Sequence, residues 1–346
     1  MSWLIYNGSG RPHNHIERLP EPPPWRVFDG GPPLAPPTTD AQSRTRVAEM
    51  HQAVAYQPEP ETVELVNAAL YLRRPLLVTG RPGTGKSTLA YAIARELGLG
   101  PVLHWPITSR STLKDGLYQY DPLSRLQSFR PGADPGTGDD IDMYLRLGPL
   151  GTALLPWERP RVLLIDELDK SDIDLPNDLL TVFERGDYKI PELVRIAERY
   201  PQCSVPVEDS AQRVTVTDGL VRCRAFPIVI MTSNAEREFP AAFLRRCVSL
   251  HLKEPGAGQL VQIVRAHLGG LADSGADLIE RFLARRSQGA LATDQLLNAI
   301  YLLNQAELAR EEGTLEVDRQ VLADRIFSYL SDTAEDAEFE LSLDES

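Results

Sequence analysis

The chain has 346 residues, 42% hydrophobic and 25% charged, a balance that suits a folded protein able to bury a sizeable core in about two domains. Thirty-six basic residues against forty-nine acidic ones leave a formal net charge of −13, which opposes sequence-independent binding to nucleic-acid phosphates or anionic membranes. Cys203, Cys223 and Cys247 lack CxxC spacing, so neither a disulfide framework nor a zinc site is expected. The opening MSWLIYNGSGRPHNH has no charged stretch followed by an apolar run, and no apolar run reaches membrane-spanning length, so a cytoplasmic setting with no membrane partner is expected.

Residues 1–40 read as an extended arm, because eight prolines between Pro20 and Pro37 remove backbone donors and little apolar material accompanies them. The arm suits a strap that docks on a neighbour or partner, with Trp3, Tyr6 and Trp25 as its contacts, or equally a loose leader. A short helix is expected within Gln57–Leu72, followed by the strand PLLVTG. Further apolar, β-prone runs lie at Pro101–Thr108, Val162–Asp166, Pro227–Thr232 and Cys247–Leu252, separated by stretches of helical pattern. This alternation predicts an α/β fold with a five-stranded parallel sheet covered by helices over 41–254. From 255 to 330 only helical spacing remains, as in Leu260, Ile263 and Val264, Leu278, Ile279, Phe282 and Leu283, Leu296, Leu297 and Ile300, and Leu322, Ile326 and Leu330. That predicts a small all-α lid domain. Ser331–Ser346 holds seven acidic residues and no basic one, and reads as a solvated tail or a partner-binding peptide. Pro131–Asp140 reads as a loop tip.

Gly80, Arg81, Pro82, Gly83, Thr84, Gly85, Lys86, Ser87 and Thr88 match GxxxxGK[ST], after an apolar strand and before Leu89, Ala90, Ile93, Ala94 and Leu97 at helical spacing. The glycines let successive N–H groups turn inward on phosphate oxygens, where a β-carbon would block the approach. Lys86 is placed to bridge the terminal phosphates of ATP, and Ser87 to put its hydroxyl on Mg2+. The strand beginning at Arg161 ends in Asp166 and Glu167, at the sheet edge where α/β proteins bind ligands. Asp166 suits the magnesium shell, and Glu167 suits orienting the attacking water. A neutral amide at Asn234, closing the strand Ile228–Asn234, could bond the water or the terminal phosphate. Arg245 and Arg246 could supply a guanidinium to a neighbouring subunit's transition state.

This order of features resembles the AAA+ ATPases over roughly residues 55–330. The resemblance makes Gly80–Ser87 Walker A, Val162–Glu167 Walker B and Asn234 sensor 1, and favours Arg246 over Arg245 as the arginine finger. Ile107–Asp121, ITSRSTLKDGLYQYD, and Ile165–Lys170, IDELDK, resemble the MoxR-like branch. It implies an insert within Ser109–Pro156 and a second hairpin at Val214–Arg224 turning at Asp218-Gly219, both facing a ring pore. It further implies a homo-oligomer in a hexameric ring, acting as a chaperone-like remodeller of a protein partner alongside a von Willebrand factor A domain protein. Sensor 2, usually an arginine, maps near Ala292–Gln295, which holds none. Asp166-Glu-Leu-Asp169 also fits the DExD of nucleic-acid motors, which would need a second motor domain, yet the residues after Glu254 read as a small helical bundle and the charge is adverse. A small-molecule kinase would need an arginine-rich lid, and a nucleotide-regulated scaffold has less need of Glu167.

Overall fold

The computed structural model describes residues 3–36, 53–54, 56–128, 141–208, 210–269, 276–286 and 293–311. The Pro131–Asp140 loop, Ala292, the Leu322, Ile326 and Leu330 stripe and the acidic Ser331–Ser346 segment lie outside the described residues. The chain divides into two units: Met1–Ala53, Pro58–Gly80 and Lys86–Leu252 form the first, and Val54–Gln57, Arg81–Gly85 and Lys253–Ser346 the second.

In the first unit, helix Pro60–Leu72 leads into β1 (Leu76–Thr79), helix Lys86–Glu96 and β2 (Leu103–Pro106). A hairpin of β3 (Tyr118–Tyr120) and β4 (Leu145–Leu147) precedes β5 (Val162–Asp166). Next come β6 (Asp187–Lys189), β7 (Gln202–Pro206), β8 (Arg213–Thr217) and β9 (Leu220–Arg222), then β10 (Ile228–Ser233) and β11 (Val248–His251). The five apolar runs form one parallel sheet in the order β11-β1-β10-β5-β2. Its register aligns Ile230 with Leu76 on one side and Leu164 on the other.

Val162, Leu163, Leu164 and Ile165 are fully buried, and every residue of β10 is buried. Such central strands carry no polar alternation because helices cover both faces. Each buried aliphatic side chain stabilises the sheet by roughly 1.5–3 kcal/mol. Parallel pairing also brings the strands' C-terminal ends to one edge, where Thr79, Asp166 and Ser233 sit together with the start of helix Lys86–Glu96.

β6, β9, β8 and β7 form a separate antiparallel sheet. Asp218 and Gly219, at φ 53° and 65°, join β8 to β9, the two positive φ values that a tight two-residue hairpin turn demands. In the second unit, helices Ala257–Leu268, Ala276–Arg286 and Thr293–Glu311 share a core of Leu260, Val264, Leu278, Phe282, Leu296 and Ile300. No helix among the described residues is long and apolar enough to cross a membrane.

The N-terminal arm, expected to dock on a neighbour or partner or to hang loose, does neither among the described residues. It contains two short 3-10 turns, His15–Arg18 and Pro24–Arg26, and is fastened to its own chain. Ile5, Tyr6 and Ile16 are buried, whereas Trp3 and Trp25 remain exposed. Asn67 accepts the Ile5 and Tyr6 N–H groups at 2.6 and 3.1 Å and donates to the Tyr6 carbonyl at 2.7 Å. Further on, Phe28 stacks on Phe226, and the Gly30 N–H donates to the Cys223 carbonyl at 2.9 Å. A β-carbon at Gly30 would meet the Arg222 carbonyl oxygen at 1.9 Å, so only glycine permits that approach. Backbone donors therefore find partners in side chains and carbonyls of the body, which satisfies them without regular secondary structure.

Candidate active site

The loop between β1 and helix Lys86–Glu96 turns through Gly80, Gly83 and Gly85, at φ 152°, 74° and 87°. A β-carbon at Gly85 would also lie 3.2 Å from the Tyr56 ring, so backbone conformation and space both select glycine there. Pro82 and Gly83 are exposed, Thr84 closes the turn by donating to the Arg81 carbonyl at 2.9 Å, and Thr88 is half-buried in the helix's first turn.

Lys86 is only 8% exposed. Its Nζ donates to the Gly80 carbonyl at 2.8 Å and to Asn234 Oδ1 at 2.7 Å. Burial pushes the ammonium below the ordinary lysine range, while the charges of Asp169, Asp166, Glu167 and Glu236 oppose that shift. One residue on, Ser87 Oγ donates to Asp166 Oδ1 at 2.7 Å.

Asp166 collects further donors. Thr232 Oγ1 reaches the same Oδ1 at 2.5 Å, and His104 Nε2 lies 3.3 Å from Oδ2. Burial alone would raise this carboxyl, but the hydrogen bonds from His104, Thr232 and Ser87 outweigh it and hold the group below the usual aspartate range. An ionised carboxylate beside a hydroxyl is the pair that a hard divalent cation takes up together with phosphate oxygens. Among the described residues no group of three or more His, Cys, Asp or Glu is arranged for a metal.

Glu167 follows in the left-handed region, φ 59° and ψ 49°. For a residue with a β-carbon this costs about 1–2 kcal/mol and persists only where neighbours enforce it. The enforcing contact is its own N–H, which donates to Thr232 Oγ1 at 2.8 Å. Thr232 is fully buried, and its one hydroxyl donates to the Asp166 carboxylate and accepts the Glu167 backbone N–H, holding the first side chain and the second backbone. The Glu167 side chain rests on Lys170 Nζ at 2.9 Å, half-exposed.

Lys86, Ser87, Asp166, Glu167 and Asn234 thus meet at one sheet edge, as their positions in the sequence suggested. Arg245 and Arg246 do not join them. Arg246 Nε is paired with Glu184 and its Nη1 donates to the Ala242 carbonyl at 3.0 Å, while the Arg245 carbonyl accepts from Arg74 at 3.2 Å. Helix Thr293–Glu311 opens on Thr293, Asp294 and Gln295 without an arginine in its first turn. Sequence reasoning missed the bridging role of Thr232, which was visible only as one of three polar residues closing a strand. It also missed His104, which carries no local signal, and Asp169, which entered only as the last letter of a DExD.

The glycine turn, the buried ammonium and the hydroxyl–carboxylate pair fit a nucleoside triphosphate with Mg2+. The family described as AAA domain (dynein-related subfamily) matches residues 75–247, half of the chain, from the residue before β1 to the residue before β11. Among solved structures, the chain is similar to one in a closed-state cryo-EM reconstruction of Hsp104 with ATPγS and FITC casein, at 17% identity and a TM-score of 0.40. That alignment covers 79% of this chain and 50% of the other, so the chain spans about half of that protein's length. No curated protein matches the sequence.

Proposed function

Because the chain belongs to the AAA domain family, dynein-related subfamily, we propose that it hydrolyses ATP and uses the cycle to remodel a protein partner. The observation that carries this reading is the meeting of Lys86 and Ser87 with Asp166 and Asn234, through bonds of 2.7 Å each, at the C-terminal edge of a parallel sheet.

The chemistry asks little covalent work of the protein, so placed charges and an aligned water supply the rate. In this reading Gly80, Gly83 and Gly85 turn backbone N–H groups onto the phosphates, and the partial positive charge of the helix N-terminus at Lys86 adds to them. Lys86 exchanges its bonds to Gly80 and Asn234 for phosphate oxygens, which returns to the buried ammonium the anionic company that burial demands. Ser87 and Asp166 would hold Mg2+, which when bound neutralises charge on the phosphate oxygens. Glu167 leaves Lys170 to accept a hydrogen bond from the attacking water, and Asn234, released by Lys86, donates its amide to the water or the terminal phosphate.

The finer reading is a MoxR-like enzyme in a homo-oligomeric, hexameric ring in the cytoplasm, with a von Willebrand factor A domain protein as its partner. The motifs at Ile107–Asp121 and Ile165–Lys170 support it, together with the hairpins β3–β4 and β8–β9. Glu167→Gln is expected to keep ATP affinity and lower turnover by about a hundredfold or more, while Lys86→Ala loses binding itself. Steady-state phosphate release beside titration of a fluorescent ATP analogue checks both. Unchanged turnover in Glu167→Gln would remove the assignment.

A further inference from the structure

We infer that Asp169 is a positioning residue that clamps the loop after β10 so that the Asn234 amide faces the nucleotide. The inference rests on the ATPase reading above and adds to it a residue that touches neither nucleotide nor water. Asp169 lies in the 3-10 turn Leu168–Lys170, immediately after Glu167, and is 4% exposed. Its Oδ2 accepts two backbone N–H groups from the other strand's exit, Asn234 at 2.9 Å and Glu236 at 3.2 Å.

Between those two amides sits Ala235 at φ 63°, a left-handed conformation that a residue with a β-carbon adopts only under constraint. Ser233 Oγ accepts the Ala235 N–H at 2.9 Å and completes the clamp. Three consecutive amides are therefore held by side chains, and the middle residue is strained. Asn234 Oδ1 in turn receives Lys86 Nζ at 2.7 Å, so a continuous chain runs from Asp169 through the Asn234 peptide to the phosphate-binding lysine.

A buried carboxylate is costly to keep charged unless it is well bonded, and backbone amides are among its better partners. Among the described residues Asp169 Oδ1 has no hydrogen-bond partner, so the two amides on Oδ2 are the hydrogen bonds seen on this carboxylate. Its charge also opposes the effect of burial on Lys86 more strongly than Asp166 or Glu167 does. Because the Asp169 turn follows directly from Glu167, the clamp makes the water-orienting carboxylate and the amide move as one body. Without it, Ala235 can relax to a right-handed conformation and swing Asn234 off the site.

The test is a double-mutant cycle read in turnover and in amide exchange. Asp169→Ala is expected to lower kcat about tenfold or more with KM for ATP changed less than about twofold, and to cost less than about twofold further in an Asn234→Ala background. Asp169→Asn, which keeps an acceptor oxygen for both amides, should recover kcat to within about threefold of the unaltered protein. Equal losses in both backgrounds, a loss confined to KM, or failure of Asp169→Asn to recover turnover overturns the inference while Glu167→Gln still upholds the ATPase. If the unaltered protein hydrolyses no ATP, that reading fails. Hydrogen exchange at the Asn234 and Glu236 amides then decides this one: about tenfold faster exchange in Asp169→Ala supports the clamp, and unchanged exchange overturns it.

Discussion

Thr232 shows how much a single hydroxyl can hold. It donates to Asp166 at 2.5 Å and accepts the Glu167 N–H at 2.8 Å, within a strand that is wholly buried. Thr232→Val keeps the branched shape and the packing but removes both bonds, leaving the Glu167 amide with no acceptor at a cost of about 1–3 kcal/mol. Glu167 is then free to leave its left-handed conformation. Turnover is expected to fall about tenfold to a hundredfold while ATP affinity changes little, since the loop and Lys86 are untouched. Parallel assays of phosphate release and analogue binding would show it, and a variant with full turnover would refute the bridging role. The Gly80–Thr88 loop proposed to hold the nucleotide was legible in the sequence because the spacing within that one segment is itself the pattern. Thr232 and Asp169 were not, because each acts across a strand pair, and the order β10-β5 is written in no single segment.

At the scale of elements, helix Lys86–Glu96 is fixed at both ends by different means. Its first turn carries Lys86 and Ser87, and its last residue, Glu96, is a fully buried carboxylate. Glu96 accepts the N–H groups of Asn7, Gly8 and Gly10 at 2.6, 3.1 and 2.8 Å and faces His13 Nε2 at 3.1 Å. The arm was read from its prolines as a strap for a neighbour or partner or as a loose leader, and its docking on its own chain was hidden, because polar residues of a helix are read as solvent-facing when only the apolar face is counted. Asn67 and Glu96 sit inward, roughly sixty and ninety positions from the backbone they serve. Glu96→Ala is expected to destabilise the protein by on the order of 3 kcal/mol, since three amides lose a charged acceptor in a buried place. Urea unfolding measures the loss, and limited proteolysis should cut residues 3–36 sooner. Equal stability and equal protection would mean that the arm is held elsewhere, at Asn67 or Phe28.

For the whole molecule, the five apolar runs and the later helical stripes were enough to foresee a parallel sheet followed by helices, since period and burial repeat along each element. The β8–β9 turn at Asp218-Gly219 was legible as a hairpin, whereas the order of the parallel strands and the pairing of β6 with β9 join segments distant in sequence that no local pattern encodes. The arginines raise a question of the same scale. Arg246 is paired with Glu184 and bonded to the Ala242 carbonyl, with no bond to Lys86, Ser87, Asp166 or Asn234. A guanidinium so held can serve catalysis if it exchanges Glu184 for a neighbouring copy's phosphate, which requires a head-to-tail ring. Lys86→Ala should then be inactive for want of nucleotide, and Arg246→Ala for want of the finger. Mixed together after dissociation and reassembly, the two should recover activity, because an intact pocket of the Arg246→Ala protein can meet an intact arginine of the Lys86→Ala protein. Random assembly makes such composite sites about a quarter of the total, so turnover should rise to about that fraction of the unaltered protein's. Two dead variants that stay dead on mixing would place Arg246 outside the chemistry, and activity in Arg246→Ala alone would do the same.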